Sequence, residues 1–377
     1  MKRNERARMA QETVAICDAG FYVTPGGRRV ELAALIKDAV AGTVLHLPDA
    51  SAAASPARFE TRVTVTNETT FAALARLAAT TEGHVACLNF ASAKNPGGGF
   101  LGGAQAQEEC LARASALYRC LLAQPSHYER NRANRSALYL DLAIFSPRVP
   151  FFRDDEGRLL DAPVLASVIT AAAPNAGAVL ANEPQNHDLI EPVLKRRAGL
   201  VLDIAAKHGV THLVLGAWGC GVFRNDPAMV ARAFADWLHG PFARRFQEVV
   251  FAVYDASPAQ ENYGAFKDIL GSPDVEVEFP NPLLNLFTAC ESHCVAGCCG
   301  VDAFDTSIEC IRIWAHKAGI RDVQIALAQI EEQRRKSANA RGDIVSDRIN
   351  AVWTYQQFCD WLERWEKPLQ IVLSEQS

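Results

Sequence analysis

Apolar and polar positions along the first 270 residues follow two periods, one helical and one of two. Residues 3–18 keep helical spacing and stop at Gly20, which predicts a helix that braces the sheet. Pro25-Gly26-Gly27 predicts a turn, and a second helical stretch follows near 31–40. Val63 to Thr66 alternates like a strand, residues 71–81 read as a helix, and Val85 to Phe90 is a short apolar strand. A strand over 137–145, a turn at Phe151-Phe152-Arg153-Asp154-Asp155-Glu156-Gly157 and a strand from Val164 to Thr170 come next. Residues 174–187 are polar and broken by proline, which predicts a long loop of the kind that is functional or disordered. After a helix over 188–208 comes a strand from Thr211 to Leu215. The next helix has Asp226 as cap and Pro227 in its first turn, and runs to about His239. Glu248 to Tyr254 reads as a strand and 258–270 as the closing helix. Strands alternating with helices predict an α/β fold, with a mixed or largely parallel sheet covered by helices on both faces.

The stretch Asn89 to Tyr118 joins strand, glycine loop and helix, the order a phosphate-cradling unit needs. Gly97, Gly98 and Gly99, then Gly102 and Gly103, let backbone amides approach a ligand with no side chain between. Gln107, Glu108 and Glu109 open a helix whose stripe is Leu111, Ala114, Leu117, Tyr118, Leu121 and Leu122. Two glutamates at a helix start can be no more than favourable charges for its dipole. Adjacent helical residues point about 100° apart, so the two carboxylates do different jobs. A second glycine loop, Leu215-Gly216-Ala217-Trp218-Gly219-Cys220-Gly221-Val222-Phe223, follows a strand and precedes a capped helix, which makes it an anion site.

The triplet Gly97-Gly98-Gly99, followed after seven residues by Gln107-Glu108-Glu109, resembles the signature of the microbial poly(ADP-ribose) glycohydrolases, whose catalytic domain is related to macrodomains. The second loop is similar to that family's second diphosphate loop, and the resemblance runs from about Arg6 to about residue 275. It implies a macrodomain-like sheet and exo-acting hydrolysis of ribose–ribose O-glycosidic bonds in poly(ADP-ribose), releasing ADP-ribose, with no metal or redox cofactor. Glu109 is then the acid that protonates the departing ribose oxygen and helps activate water, while Glu108 holds ribose hydroxyls. A general acid must keep its proton, whereas a helix N-terminus favours the ionised form, so burial or the neighbouring carboxylate must raise the Glu109 pKa.

Gly97, Gly98 and Gly99 are expected at phosphate or ribose, with Gln107 beside them. Gly216, Gly219, Cys220, Gly221 and Val222 are expected at the diphosphate, and Phe223 at the distal ribose. Asn89 and Asn95 either orient the loop or touch ribose; the family's animal branch has Phe-Ala-Asn where this chain has Phe90-Ala91-Ser92. Asn182-Glu183 contacts adenosine or only braces its loop. Other readings of the same motifs are a hydrolase of single ADP-ribose groups on protein or nucleic acid, and a binding module; a module needs no acid at Glu109.

Composition alters the picture little. The 377 residues are 49% hydrophobic and 21% charged, ordinary globular values that bury a large core without disulfides. A net charge of −5 gives no global attraction to nucleic acid or anionic membrane, although an anionic polymer could still bind a locally positive cleft. Eleven scattered cysteines, no signal peptide and no apolar run near the ~20 residues of a membrane span point to a cytosolic, reduced protein. Cys220 has no partner base nearby, and His127, His187, His208, His212 and His239 lack metal spacing. A boundary at 271–282 sets off a helical C-terminal segment, 282–377, with Trp314, Trp353, Trp361 and Trp365 for a small core. Its Cys290, Cys294, Cys298, Cys299 and His293 read as buried thiols rather than zinc ligands, and its charge run, 331–336, as a solvated helix face.

Overall fold

The computed structural model describes residues 1–48 and 59–271. The expected helices, tryptophan core and cysteine cluster of 282–377 lie outside these residues. In chain order the elements are α1 (Arg3–Ala19), β1 (Phe21–Val23), β2 (Arg29–Glu31), α2 (Ala33–Ala41), β3 (Val44–His46), β4 (Arg62–Thr66), α3 (Thr70–Thr80) and β5 (Val85–Phe90). Then come α4 (Gln107–Ala114), α5 (Leu117–Leu122), α6 (Pro125–Ala133), β6 (Ala143–Arg153), β7 (Leu159–Ala171) and α7 (Ala176–Asn182). The last are α8 (Ile190–Lys207), β8 (His212–Leu215), α9 (Pro227–Leu238), β9 (Glu248–Ala252) and α10 (Glu261–Leu270).

Seven strands form one mixed sheet in the order β3-β6-β7-β5-β8-β9-β4. β7, β5, β8, β9 and β4 run parallel, while β3 and β6 add an antiparallel edge. The central strands are apolar without alternation because both faces are covered. Ala86 and Leu88 of β5 enter one core with Leu194, Leu202 and Phe234 of α8 and α9. Val85 and Cys87 enter the other with Leu74 of α3, Leu111 of α4 and Leu117 of α5. β8 and β9 divide in the same way, Leu213 and Val249 to the first core, Val214 and Val250 to the second. The α/β expectation therefore holds, as do the caps: Asp226 accepts from the Met229 N–H at 2.9 Å, and Gly20 ends α1 at φ +73°.

Four local expectations change. The stripe expected to be one helix from Gln107 to Leu122 breaks at Ser115, whose extended backbone bridges to Phe151, while the Ala116 N–H donates to the Pro150 carbonyl. The edge of β6 thus takes the hydrogen bonds a continuous helix would use. The strand expected at 137–145 begins only at Ala143, because the Arg197 guanidinium holds the carbonyls of Leu138 and Tyr139, and Tyr139 turns left-handed at φ +58°. Phe151–Arg153, expected in a turn, are the buried end of β6; the turn starts at Asp154. Residues 174–187 are no long loop: Asn175 caps α7 by accepting from Ala178 N–H at 3.0 Å, and a 3-10 turn spans Pro184–Leu189. The hairpin of β1 and β2, the edge strand β3 and helix α6 were not anticipated. Among the described residues, no helix is long and apolar enough to cross a membrane.

Candidate active site

β5 and β8 are parallel neighbours, so the loops at their carboxyl ends emerge side by side. Open parallel sheets bind ligands at that edge, and here a cleft of about 980 Å³ lies over it, lined by both loops and by Glu108 and Glu109.

Gln107 anchors the helix that carries the carboxylates. Its Oε1 accepts from the Phe90 N–H at 2.8 Å, and its Nε2 donates to the Leu88 carbonyl at 2.8 Å and to Thr70 Oγ1 at 3.1 Å. Those bonds occupy both ends of the amide, so Gln107, expected beside the substrate, pins α4 to the end of β5. Glu108, one turn-step on, is 3% exposed. Its Oε2 accepts from the Ser92 N–H at 2.7 Å and its Oε1 from Asn89 Nδ2 at 3.3 Å. Burial pushes its carboxyl up to about 8, helped by the Glu109 charge and opposed by the donors Ser92, Asn89 and the Gly97 N–H. Glu109 is only partly buried; its Oε1 accepts from the Gly99 N–H at 2.9 Å, and its Oε2 has no partner among the described residues. Burial was expected to act on Glu109; the structure places it on Glu108 instead.

The first glycine loop is built around these carboxylates. Gly98 sits at φ +59°, and a Cβ there would collide with the Glu109 carboxylate and come within 3.0 Å of Glu108 Oε2. The Gly97 N–H serves Glu108, the Gly99 N–H serves Glu109 and the Gly98 N–H donates to the Asn95 carbonyl at 3.0 Å. An anion nest was expected at Gly97, Gly98 and Gly99; their amides instead hold the two glutamates and the turn. Asn89, expected to orient the loop or touch ribose, is fully buried beneath Glu108, and its Nδ2 also reaches Thr170 Oγ1 at 3.2 Å. Its part is orientation, because solvent and ligand cannot reach it. Asn95 is exposed on the cleft rim.

The second loop is the one with amides to offer. The N–H groups of Gly219, Gly221, Val222 and Phe223 make no hydrogen bond to any described residue, while Trp218, fully buried, ties the loop down through Nε1 to the Ala171 carbonyl at 3.0 Å. Gly219 is left-handed at φ +74°, and a Cβ would fall 2.7 Å from that of Ala173. Gly216 has no room for a Cβ either, with Phe90 Cζ 3.0 Å away. Successive free amides next to a capped helix N-terminus attract a diphosphate. Val222 is 82% exposed on the rim. Phe223 stands 6.0 Å, centroid to centroid, from Tyr139. Burial pushes the Cys220 thiol up to about 12, which leaves no thiolate for nucleophilic chemistry.

Asn182 and Glu183 prove to be braces. Asn182 donates to the Ala178 carbonyl at 3.0 Å, and Glu183 accepts from Ser136 Oγ and the Ala137 N–H, both at 2.6 Å. Tyr139, in the cleft wall, was expected only as part of a strand; Ser92, where the family's animal branch has Asn, holds Glu108 through its backbone N–H and accepts from the Lys94 and Asn95 N–H groups through Oγ. Among the described residues, no group of three or more His, Cys, Asp or Glu side chains could hold a metal ion.

Comparison with known proteins fits this geometry. The microbial-type PARG catalytic domain family matches residues 10–154, and a family of unknown function matches residues 271–372. No curated protein matches. The chain is 49% identical to the poly(ADP-ribose) glycohydrolase of Thermomonospora curvata bound to the inhibitor ADP-HPD, over 70% of this chain and 99% of that one, with a TM-score of 0.67. It is 50% identical to the poly(ADP-ribose) glycohydrolase of Deinococcus radiodurans in complex with ADP-ribose, over 65% of this chain and 100% of that one, with a TM-score of 0.61. With near-complete coverage of such relatives at this identity, the chain belongs to the poly(ADP-ribose) glycohydrolase family.

Proposed function

We propose that this protein hydrolyses the ribose–ribose O-glycosidic bonds of poly(ADP-ribose) from the chain end and releases ADP-ribose. The observation that carries the reading is the convergence of the Glu108 and Glu109 carboxylates over Gly98, in a cleft whose other wall offers free amides to a diphosphate. This is the pairing a macrodomain-like ADP-ribose pocket requires.

Glu109 is the acid. As the bond from the anomeric carbon to the neighbouring ribose breaks, its proton passes to the departing oxygen, and the anomeric carbon gains oxocarbenium character. The carboxylate left behind takes a proton from the attacking water, which restores the acid. The Gly99 N–H holds Oε1 and leaves Oε2 for this exchange. Glu108, clamped through both oxygens, positions ribose hydroxyls. The chemistry calls on no metal or redox group. All these residues precede 224, so 271–372 is assigned no part in it, and a cytosolic placement accompanies the reading.

The test is Glu109→Gln, which keeps shape but removes the titrating proton. ADP-ribose release from automodified polymer should fall by at least roughly 10²-fold, the lower end for a general acid, with ADP-ribose binding retained. Near-wild-type release would refute the assignment. Parallel incubation with a mono-ADP-ribosylated target separates the polymer reading from that of a mono-ADP-ribose hydrolase, and long fragments among the products would exclude exo-action.

A further inference from the structure

Many arginines on this surface are in ion pairs, among them Arg28 with Asp161, Arg62 with Glu248, Arg76 with Glu68 and Arg158 with Asp154. Four exposed cations along one side of the cleft are not. Lys94, Arg132, Arg135 and Arg224 are exposed and form no ion pair with any described residue, in a chain of net charge −5.

Their places follow from the backbone. Arg132, at the end of α6, donates through Nη1 to the Lys94 carbonyl at 2.7 Å, which seats it against the first glycine loop. Arg135 directly precedes Ser136, whose hydroxyl reaches Glu183. Lys94 is near the same carboxyl: after the bonds from Ser136 and Ala137, its charge helps hold Glu183 below the usual range. The Ala137 carbonyl accepts from the Asn175 N–H, and the Gly177 N–H donates to the Phe223 carbonyl, so this edge continues along α7 to Arg224 on the second loop. Two acids along it are committed elsewhere. Glu183 accepts from Ser136, Ala137 and Asn186, and Asp226 caps α9.

We propose that Lys94, Arg132 and Arg135, with Arg224 at the far end, form a cationic edge that holds the phosphates of the polymer beyond the unit seated in the cleft. This rests on the reading that the substrate is poly(ADP-ribose), each repeat of which brings a diphosphate. Such an edge gives the enzyme affinity for long chains that it lacks for free ADP-ribose.

The experiment compares wild type with the Arg132→Gln/Arg135→Gln and Arg132→Lys/Arg135→Lys double variants, all as full chains. Kd for long poly(ADP-ribose) is read by fluorescence anisotropy over a salt series, with Kd for ADP-ribose beside it. On a single strand each phosphate-binding cation contributes about 0.7 to the slope of log Kd against log salt, so losing two flattens it by about 1.4. That slope implies affinity equal to wild type near 1 M salt and roughly 25-fold weaker polymer binding near 0.1 M. The glutamine variant should show both changes with ADP-ribose affinity kept, and the lysine variant should follow wild type. An unchanged slope, or an equal loss in the lysine variant, overturns the proposal. If wild type releases no ADP-ribose from polymer, the functional reading falls, whereas the edge is still judged on these binding curves.

Discussion

Glu108 is the place to perturb first, because its burial makes a prediction of definite sign. The group is 3% exposed and titrates near 8, against 4.5 in an unstructured chain. Between those two values the folded state holds one proton more than the unfolded state, so stability falls as pH rises, by about 1.4 kcal/mol per pH unit. Glu108→Gln removes that slope. It also removes an acceptor, because Ser92, Asn89 and the Gly97 N–H all donate towards this carboxyl and a glutamine offers one oxygen. That second cost is the same at every pH. The diagnostic is therefore the difference between the two proteins: from pH 5 to pH 7 it should move by about 3 kcal/mol in favour of the variant. Urea unfolding of both proteins at pH 5, 6 and 7 measures it. Parallel curves would refute the reasoning, since they would mean that the three donors outweigh burial and keep the carboxyl ionised at neutrality.

Other outcomes follow from the same geometry. Gly98→Ala should cost about 1–3 kcal/mol for a side chain at φ +59° and, by displacing both carboxylates, most of the turnover; melting and an ADP-ribose release assay read the two effects. Gly219→Val should weaken ADP-ribose binding in calorimetry far more than Gly97→Ala does, because the Gly219, Gly221, Val222 and Phe223 amides are unengaged while those of Gly97, Gly98 and Gly99 are taken. His127 is fully buried, both ring nitrogens lack partners, and burial lowers its pKa to about 4. Its contribution is present above pH 6.5 and is lost as pH falls towards 4, so His127→Leu should spare the protein about 2 kcal/mol of acid destabilisation at pH 5 in urea unfolding. Cys220→Ser should leave ADP-ribose release within about twofold, since a thiol held near 12 supplies no nucleophile.

The order of elements was legible because central strands covered on both faces must be apolar throughout, and VACLNF and HLVL are plain in the chain. The two glycine loops were legible as chemistry for a different reason: left-handed turns and crowded backbones need glycine at Gly98 and Gly219, and that need is written at single positions. What each loop does was not legible. Both read as anion cradles, and only the fold shows that the first spends its amides on the helix it leads into. Gly97, Gly98 and Gly99 lie nine or more residues before Glu108 and Glu109, and nothing in that spacing says that α4 turns back over the loop. The division of labour between the glutamates has the same origin. Consecutive positions fix a difference in direction but not which carboxylate meets the core. That choice falls to Gln107, whose amide locks α4 to Leu88 and Phe90 and so rotates Glu108 inward above Asn89. The residue that sets the site is thus one whose own side-chain amide is engaged by Phe90, Leu88 and Thr70. The same logic predicts that Gln107→Leu, though it touches no reacting atom, releases the helix and lowers turnover together with stability, whereas Gln107→Glu can still accept from Phe90 but sets a second acceptor oxygen against the Leu88 carbonyl where Nε2 donated.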